Sequence, residues 1–286
     1  VLEKKHNIPV VRVQHHHAHI VSAMAEHGLD EKVIGISMDG TGYGTDGNTW
    51  GGEFLVADAA DFTRFRHFDY IPMPGGDIVV KEPWRMAFSY IYKYFGDTID
   101  YRSLPAFRLV DRQKLILVKE MIQNDINCPL SSGAGRLFDA VSALLVICSV
   151  TSFDAEAPMR LESAINSETD QHYPFSIGTS VVFAETIKAI IADMQLYDVS
   201  LISAKFHNTV AQAILEVSDL IRKETSLEKV VLSGGVFQNK YLLEKTYQKL
   251  TQNMFKVYTN HQVPVNDGGI SLGQLIVASK KTGLCA

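Results

Sequence analysis

Strand-like runs in this chain sit toward its two ends, and the stretch between, about residues 82–221, carries helical periodicity instead. At the front, Val33-Ile34-Gly35-Ile36-Ser37-Met38 predicts a buried strand, joined by a glycine-bearing turn over 39–47 to a second strand over 52–57. Two strands around such a turn make a hairpin. At the back, Lys229-Val230-Val231-Leu232 and residues 255–258 predict two more strands. Helices are expected over 85–95, 112–124, 137–147, 180–194, 206–221, 240–251 and 268–281. Strands at both ends around a helical block place the chain in the α/β class. The first residues predict a buried strand over 8–13 and a helix from near His15 that stops at Gly28. Opening inside an element points to a fragment or to missing strands, with an exposed apolar surface near residues 1–28 as the consequence.

At 286 residues and 46% apolar, the chain has material for one large or two modest domains. No apolar run reaches the roughly eighteen residues of a membrane span, and the front lacks the apolar block of a signal peptide. Three scattered cysteines form neither a disulfide framework nor a zinc ribbon, which suits the cytoplasm. A net charge of −5 without a Lys/Arg stripe argues against a nucleic-acid surface.

Four histidines fall within five positions, at His15, His16, His17 and His19. Imidazole is the commonest protein ligand for zinc and iron. On a helix His15 and His19 stand one above the other, so both can reach one ion, and the other two point elsewhere. A histidine-rich helix start without a metal is the plain alternative. Asp39-Gly40-Thr41-Gly42-Tyr43-Gly44 offers amides that can cradle phosphate, with Asp39 free to hold a metal ion or orient a water. It is neither a Walker sequence nor a dinucleotide fingerprint. Ser233-Gly234-Gly235-Val236-Phe237-Gln238-Asn239 joins a strand to a helix, where an anion or a nucleotide is favoured, unless Ser233 is only a cap. Asp267, before the last helix, is either a helix cap or a carboxylate metal ligand. Lys81 and Arg85, near Pro74-Gly75-Gly76-Asp77, are candidate phosphate or carbonyl partners, or ordinary surface charges. Asp139, in the first turns of a helix, accepts ribose hydroxyls or serves the helix dipole. His207 reads as structural.

In order, His-His-His-Ala-His-Ile, Asp-Gly-Thr-Gly-Tyr-Gly, Pro-Gly-Gly-Asp with Glu-Pro-Trp-Arg, Phe-His-Asn-Thr, Ser-Gly-Gly-Val-Phe-Gln-Asn and Asn-Asp-Gly-Gly resemble the C-terminal part of the HypF family, over about residues 6–280. These are the carbamoyltransferases of nickel–iron hydrogenase maturation, similar to the tRNA threonylcarbamoyl transferases. The resemblance implies the actin-like, sugar-kinase superfold with ribonuclease-H-like subdomains. The first subdomain would be truncated, leaving residues 1–30 with helix 268–281, and residues 31–267 would form the second, with a large helical insertion at about 82–221. It implies a divalent metal, iron or zinc, on His15, His19 and Asp267. Asp39, Gly40, Thr41, Gly42 and Gly44 would lie along the phosphates, and Gly135, Asp139, Gly234, Gly235 and Asn239 around the adenosine. Asp39, Lys81 and Arg85 are the catalytic candidates.

The implied reaction passes a carbamoyl group from carbamoyl-adenylate, made from ATP with or without magnesium, to the C-terminal cysteine thiol of HypE. It leads to a cyanide ligand of the hydrogenase iron. The acylphosphatase, zinc-finger and adenylate-forming domains of the family are missing here, so the full reaction is not expected of this chain alone. Arg136 departs from the glutamate usual in the tRNA enzymes. The competing readings are a tRNA threonylcarbamoyl transferase, disfavoured by the acidic balance, and a non-catalytic nucleotide- and metal-holding fragment.

Overall fold

The computed structural model describes residues 10–108 and 110–283. Its first element is α1 (His15–Glu26), followed by the strands β1 (Val33–Tyr43), β2 (Thr49–Ala57), β3 (Phe62–His67) and β4 (Ile71–Pro72). The helical block holds α2 (Ile78–Lys81), α3 (Trp84–Phe95), α4 (Arg112–Gln123), α5 (Ala134–Leu144), α6 (Glu156–Ser163), α7 (Ala184–Asp193) and α8 (Val199–Thr225). Three short strands interrupt it: β5 (Leu130–Ser131), β6 (Ser176–Ile177) and β7 (Val181–Val182). The chain ends with β8 (Lys229–Ser233), α9 (Lys240–Gln252), β9 (Lys256–Thr259) and α10 (Ile270–Thr282). No helix among the described residues is long and apolar enough to cross a membrane.

One sheet, in the order β4-β5-β2-β1-β8-β9 with β3 also on β2, organises these elements. β1 pairs antiparallel with β2 and parallel with β8, and β8 pairs parallel with β9. The carboxyl ends of β1, β8 and β9 therefore share one edge, where open α/β sheets hold their ligands. Side chains alternate across the sheet. Ile34, Ile36, Met38, Phe54, Val230 and Leu232 enter the large core shared with α3, α5 and α8. Val33, Leu55 and Val231 enter a smaller core with Ile20, Val21 and Met24 of α1 and Val277 of α10. Residues 16–24 of α1 are buried on every side, as expected of a helix wedged between a sheet and a second helix.

Several expectations change. Residues 10–13 form no strand and are not buried, while 8 and 9 lie outside the described residues. Both edges of β1 are taken by β2 and β8, which closes the centre of the sheet to another strand. The exposed apolar surface expected near residues 1–28 is absent over 16–24, because α10 covers α1. The glycine-rich segment is largely strand: β1 runs on to Tyr43 and pairs Gly42 with Trp50, leaving only the residues between Gly44 and Asn48 to turn. The helix expected over 180–194 begins at Ala184, because Val181 and Val182 pair with Ser176 and Ile177.

Candidate metal centre

Alternation along β1 decides what meets the histidine helix. With Ile34, Ile36 and Met38 turned into the large core, Asp39 lies on the same face as Val33, toward α1. His15 Nε2–H donates to Asp39 Oδ2 at 2.9 Å, and His19 Nε2 lies 3.3 Å from the same oxygen. Asp267 Oδ1 stands 3.5 Å from Nε2 of both histidines. Donor atoms of the four residues fall within 4.8 Å of one another. The helix lies this close because residue 42 is glycine: a Cβ there would sit 2.5 Å from His16 Cε1 and 2.6 Å from His15 Cδ2.

A resident metal ion fits this donor set on two grounds. His19 is fully buried, and its ring nitrogens make no well-formed hydrogen bond among the described residues, Nε2 facing only the two carboxylates at 3.3 and 3.5 Å. An orphaned buried polar atom is costly unless something engages it. The spacing also fits, because donors bound tetrahedrally at about 2.0–2.2 Å stand roughly 3.3 Å apart. Two imidazoles and two carboxylates accept zinc or iron.

The electrostatics agree with a cation site. Burial pushes the Asp39 carboxyl up, but His15 and His19 more than reverse this and hold it well below the usual carboxylate range. Burial lowers the His15 imidazole, while Asp39 and Asp267 raise it above its ordinary value on balance. His16 is driven down to about 3 by burial and accepts from Gln14 Nε2 through Nδ1. His17 is lowered by burial and donates to the Asp58 carbonyl at 2.7 Å. Neither joins the cluster, as the helical spacing predicts.

The cap reading of Asp267 is corrected. Asn266 is the cap, its Oδ1 accepting from Gly268 N–H, and the Asp267 side chain, 74% exposed, faces the histidines. Asp39, expected along the phosphates, becomes the fourth member of the cluster. Ser233 is not a cap either: its hydroxyl donates to Asn260 Oδ1 at 2.8 Å.

The remaining candidates divide. Gly234, at φ +103°, packs on the Met38 backbone where any Cβ would sit 2.4 Å from the carbonyl oxygen. Gly235 lies over Asp39, 3.1 Å from Oδ1 at its Cβ position. Gly135 packs against the Gly40 backbone, Thr41 is exposed, and Gly44 is filled by Trp50. Asn239 caps α9 through Leu242 N–H and donates to His207 Nε2 at 2.9 Å, so its amide is already engaged. His207, lowered to about 4 by burial, is structural as expected.

Asp139 does not lie open for a ribose. It is 3% exposed and faces Arg136 at 2.9 Å. Burial raises its carboxyl to about 6, outweighing the opposing pull of Arg136. Lys81 and Arg85 are not drawn to the cluster. Lys81 is exposed, and Arg85 is held by Glu82 at 2.5 Å and by the Pro74 carbonyl at 3.4 Å. Arg85 is thus tied locally and Lys81 stands on the surface, so the cluster adds no support to the catalytic expectation for either residue.

The family described as Carbamoyltransferase, Kae1-like Domain, second subdomain matches residues 35–274. The chain is 34% identical over 288 residues to the carbamoyltransferase HypF of Synechocystis sp., covering 94% of this chain and 37% of that relative. It is also 34% identical over 285 residues to the carbamoyltransferase HypF homolog of Cupriavidus necator, with 96% and 72% covered. A solved structure of full-length HypF in the phosphate- and nucleotide-bound form aligns with a TM-score of 0.90 at 45% identity, over 97% of this chain and 44% of that one. The chain thus spans just over a third of the Synechocystis relative and less than half of the solved chain. The mixed α/β fold agrees with the actin-like, ribonuclease-H-like expectation. With the ordered motifs, the fold and these matches in agreement, the chain belongs to the C-terminal Kae1-like domains of the HypF carbamoyltransferases.

Proposed function

We propose that this chain is the carbamoyl-transferring domain of a hydrogenase-maturation protein, delivering the carbamoyl group of carbamoyl-adenylate to the C-terminal cysteine thiol of HypE. The observation that carries the reading is the juxtaposition of His15, His19, Asp39 and Asp267 with the Gly234–Gly235 turn, at the edge where parallel strands end. A full-length HypF relative was solved in a phosphate- and nucleotide-bound form, which supports an adenylate at this edge of the sheet.

In this reading His15, His19, Asp39 and Asp267 hold iron or zinc, which supplies Lewis acidity toward a poorly electrophilic carbonyl. The chain's own residues position the reactants. The backbone at Gly234–Gly235 and at Asp39–Gly40 borders the phosphate side, with glycines that admit close approach. Asp39 stays ionised beneath its histidines and orients the donor groups around it. The thiolate sulfur forms the new C–S bond, the carbamoyl C–O bond to the phosphate breaks, and AMP departs with the electron pair. The thiol proton passes to solvent. Formation of carbamoyl-adenylate belongs to the acylphosphatase, zinc-finger and adenylate-forming domains of the longer relatives.

The test supplies carbamoyl-adenylate and a HypE-type peptide ending in cysteine, and follows peptide mass. A carbamoyl adduct that is lost in Asp39→Asn supports the reading. A metal-loaded chain that binds AMP but never modifies the peptide contradicts it and leaves a non-catalytic holding domain.

A further inference from the structure

The least enclosed member of the cluster is Asp267, whose side chain, beyond its 3.5 Å contacts with His15 and His19, makes no hydrogen bond among the described residues, so its place is set largely by the backbone that carries it. That backbone arrives from β9 through residues 260–266, a connection without regular structure. It is gripped at one point by a single side chain. Glu26, in the last turn of α1, accepts from the N–H groups of His261 (3.0 and 3.1 Å, one to each oxygen), Gln262 (2.7 Å) and Val263 (3.2 Å). Its neighbour His27 donates from Nε2 to the Thr259 carbonyl at 2.7 Å, fixing the strand end just before. Beyond the clamp, Gly234 N–H donates to the Val265 carbonyl at 3.0 Å, and Asn266 caps the turn that begins at Asp267.

Helix geometry makes this more than a loop tie. Glu26 follows His15 by eleven positions, which at 3.6 residues per turn leaves them within about 20° of rotation of each other. One face of one rigid helix therefore bears two imidazole donors at its start and the anchor of a third donor's loop at its end.

Resting on the metal reading above, we infer that Glu26 is a positioning residue for the metal centre: by clamping residues 261–263 to the histidine helix, it holds Asp267 at the separation from His15 and His19 that lets all of them engage one ion. Groups that hydrogen-bond a ligand directly change metal affinity about 10–100-fold when removed; Glu26 acts through the backbone between Val263 and Asp267, which places its effect at the lower end of that range. A clamp that served stability alone leaves the affinity of the folded chain unchanged.

The experiment titrates Zn2+ or Fe2+ into wild type, Glu26→Ala, Glu26→Gln and His19→Ala in competition with a chromophoric chelator, with the melting temperature of each metal-free chain recorded alongside. The expected result is affinity reduced about 10-fold in Glu26→Ala, the lower end of the range for groups that orient a ligand. Glu26→Gln, which keeps one acceptor oxygen, falls between it and wild type, and His19→Ala loses the site. Equal affinity in wild type and Glu26→Ala overturns the clamp while leaving the metal reading standing. A folded wild type that binds neither Zn2+ nor Fe2+ overturns the metal reading and the clamp with it. If Glu26→Ala does not fold, Glu26→Gln decides, and wild-type affinity in that variant overturns the proposal.

Discussion

Replacing Gly273 with alanine places a methyl carbon 2.0 Å from the Ala18 carbonyl oxygen and 2.7 Å from its carbon, where α10 crosses α1. Both neighbours are backbone, so no rotamer change relieves the clash, and the helices must part by roughly 1 Å to reach even a tight contact. Overpacking of this kind costs about 1–3 kcal/mol, and a backbone obstacle belongs at the upper end. Alanine recovers about 1 kcal/mol through helix propensity. The net expectation is a loss of about 2 kcal/mol, or a Tm lower by roughly 3–4 °C for a chain of 286 residues. Because α10 follows Asp267 and α1 carries His15 and His19, the separation also stretches the 3.5 Å contacts between them, and metal affinity falls together with stability. The assay pairs thermal and urea unfolding of the metal-free chain with a Zn2+ titration. Gly178→Ala, where a Cβ meets nothing within 4 Å, is the matched control. A Gly273→Ala chain as stable as wild type, or more so, with unchanged affinity refutes the close crossing and its link to the site.

Two further outcomes follow from buried charges. Glu53 is fully buried and accepts from Gly51 N–H (3.0 Å), Gly52 N–H (3.2 Å), Ser132 Oγ (2.6 Å) and Arg64 Nε (2.6 Å). Glu53→Ala takes the main carboxylate partner from Arg64, which keeps Asp46 and Tyr70, and leaves the Gly51 and Gly52 N–H groups without their acceptor. It is expected to cost about 3–5 kcal/mol in denaturant unfolding, against well under about 1 kcal/mol for an exposed pair such as Lys240–Glu244. Asp139, raised from its ordinary 3.8 to about 6 in the folded chain, binds more protons folded than unfolded between those values. Its contribution is therefore fully present below about pH 4 and lost as pH climbs through 6, a change on the order of 3 kcal/mol. Relative to Asp139→Asn, wild type should lose about that much stability from pH 4 to pH 7; a difference that is flat, or that rises with pH, contradicts the raised value.

The hairpin of β1 and β2, β8, and the helices of the middle block were legible because apolar periodicity reports burial directly. The glycines of 40–44 were harder to read, since glycine marks a turn and a close approach alike. Here Gly42 makes room for a neighbouring helix, and neither Gly40 nor Gly42 has positive φ. His15, His19 and Asp267 converge, although nothing local separates a ligand Asp267 from a cap, and Asn266 one residue earlier takes the cap instead. Asp39 could have been placed on the α1 face by counting alternation from Val33, but only the fold shows that the histidine helix lies on that face. Lys81 and Arg85 stay outside the cluster, and a charged loop side chain does not announce that Arg85 pairs with Glu82, three residues before it. Glu26 carries no motif at all: its partners lie 235 to 237 residues away.

The central claim is that His15, His19, Asp39 and Asp267 together hold one metal ion. Metal content by plasma mass spectrometry, on purified wild type and on His19→Ala and Asp39→Asn, tests it most directly. Wild type is expected to carry close to one iron or zinc per chain, His19→Ala none and Asp39→Asn a reduced content. A folded wild type that stays metal-free after reconstitution with iron and zinc contradicts it.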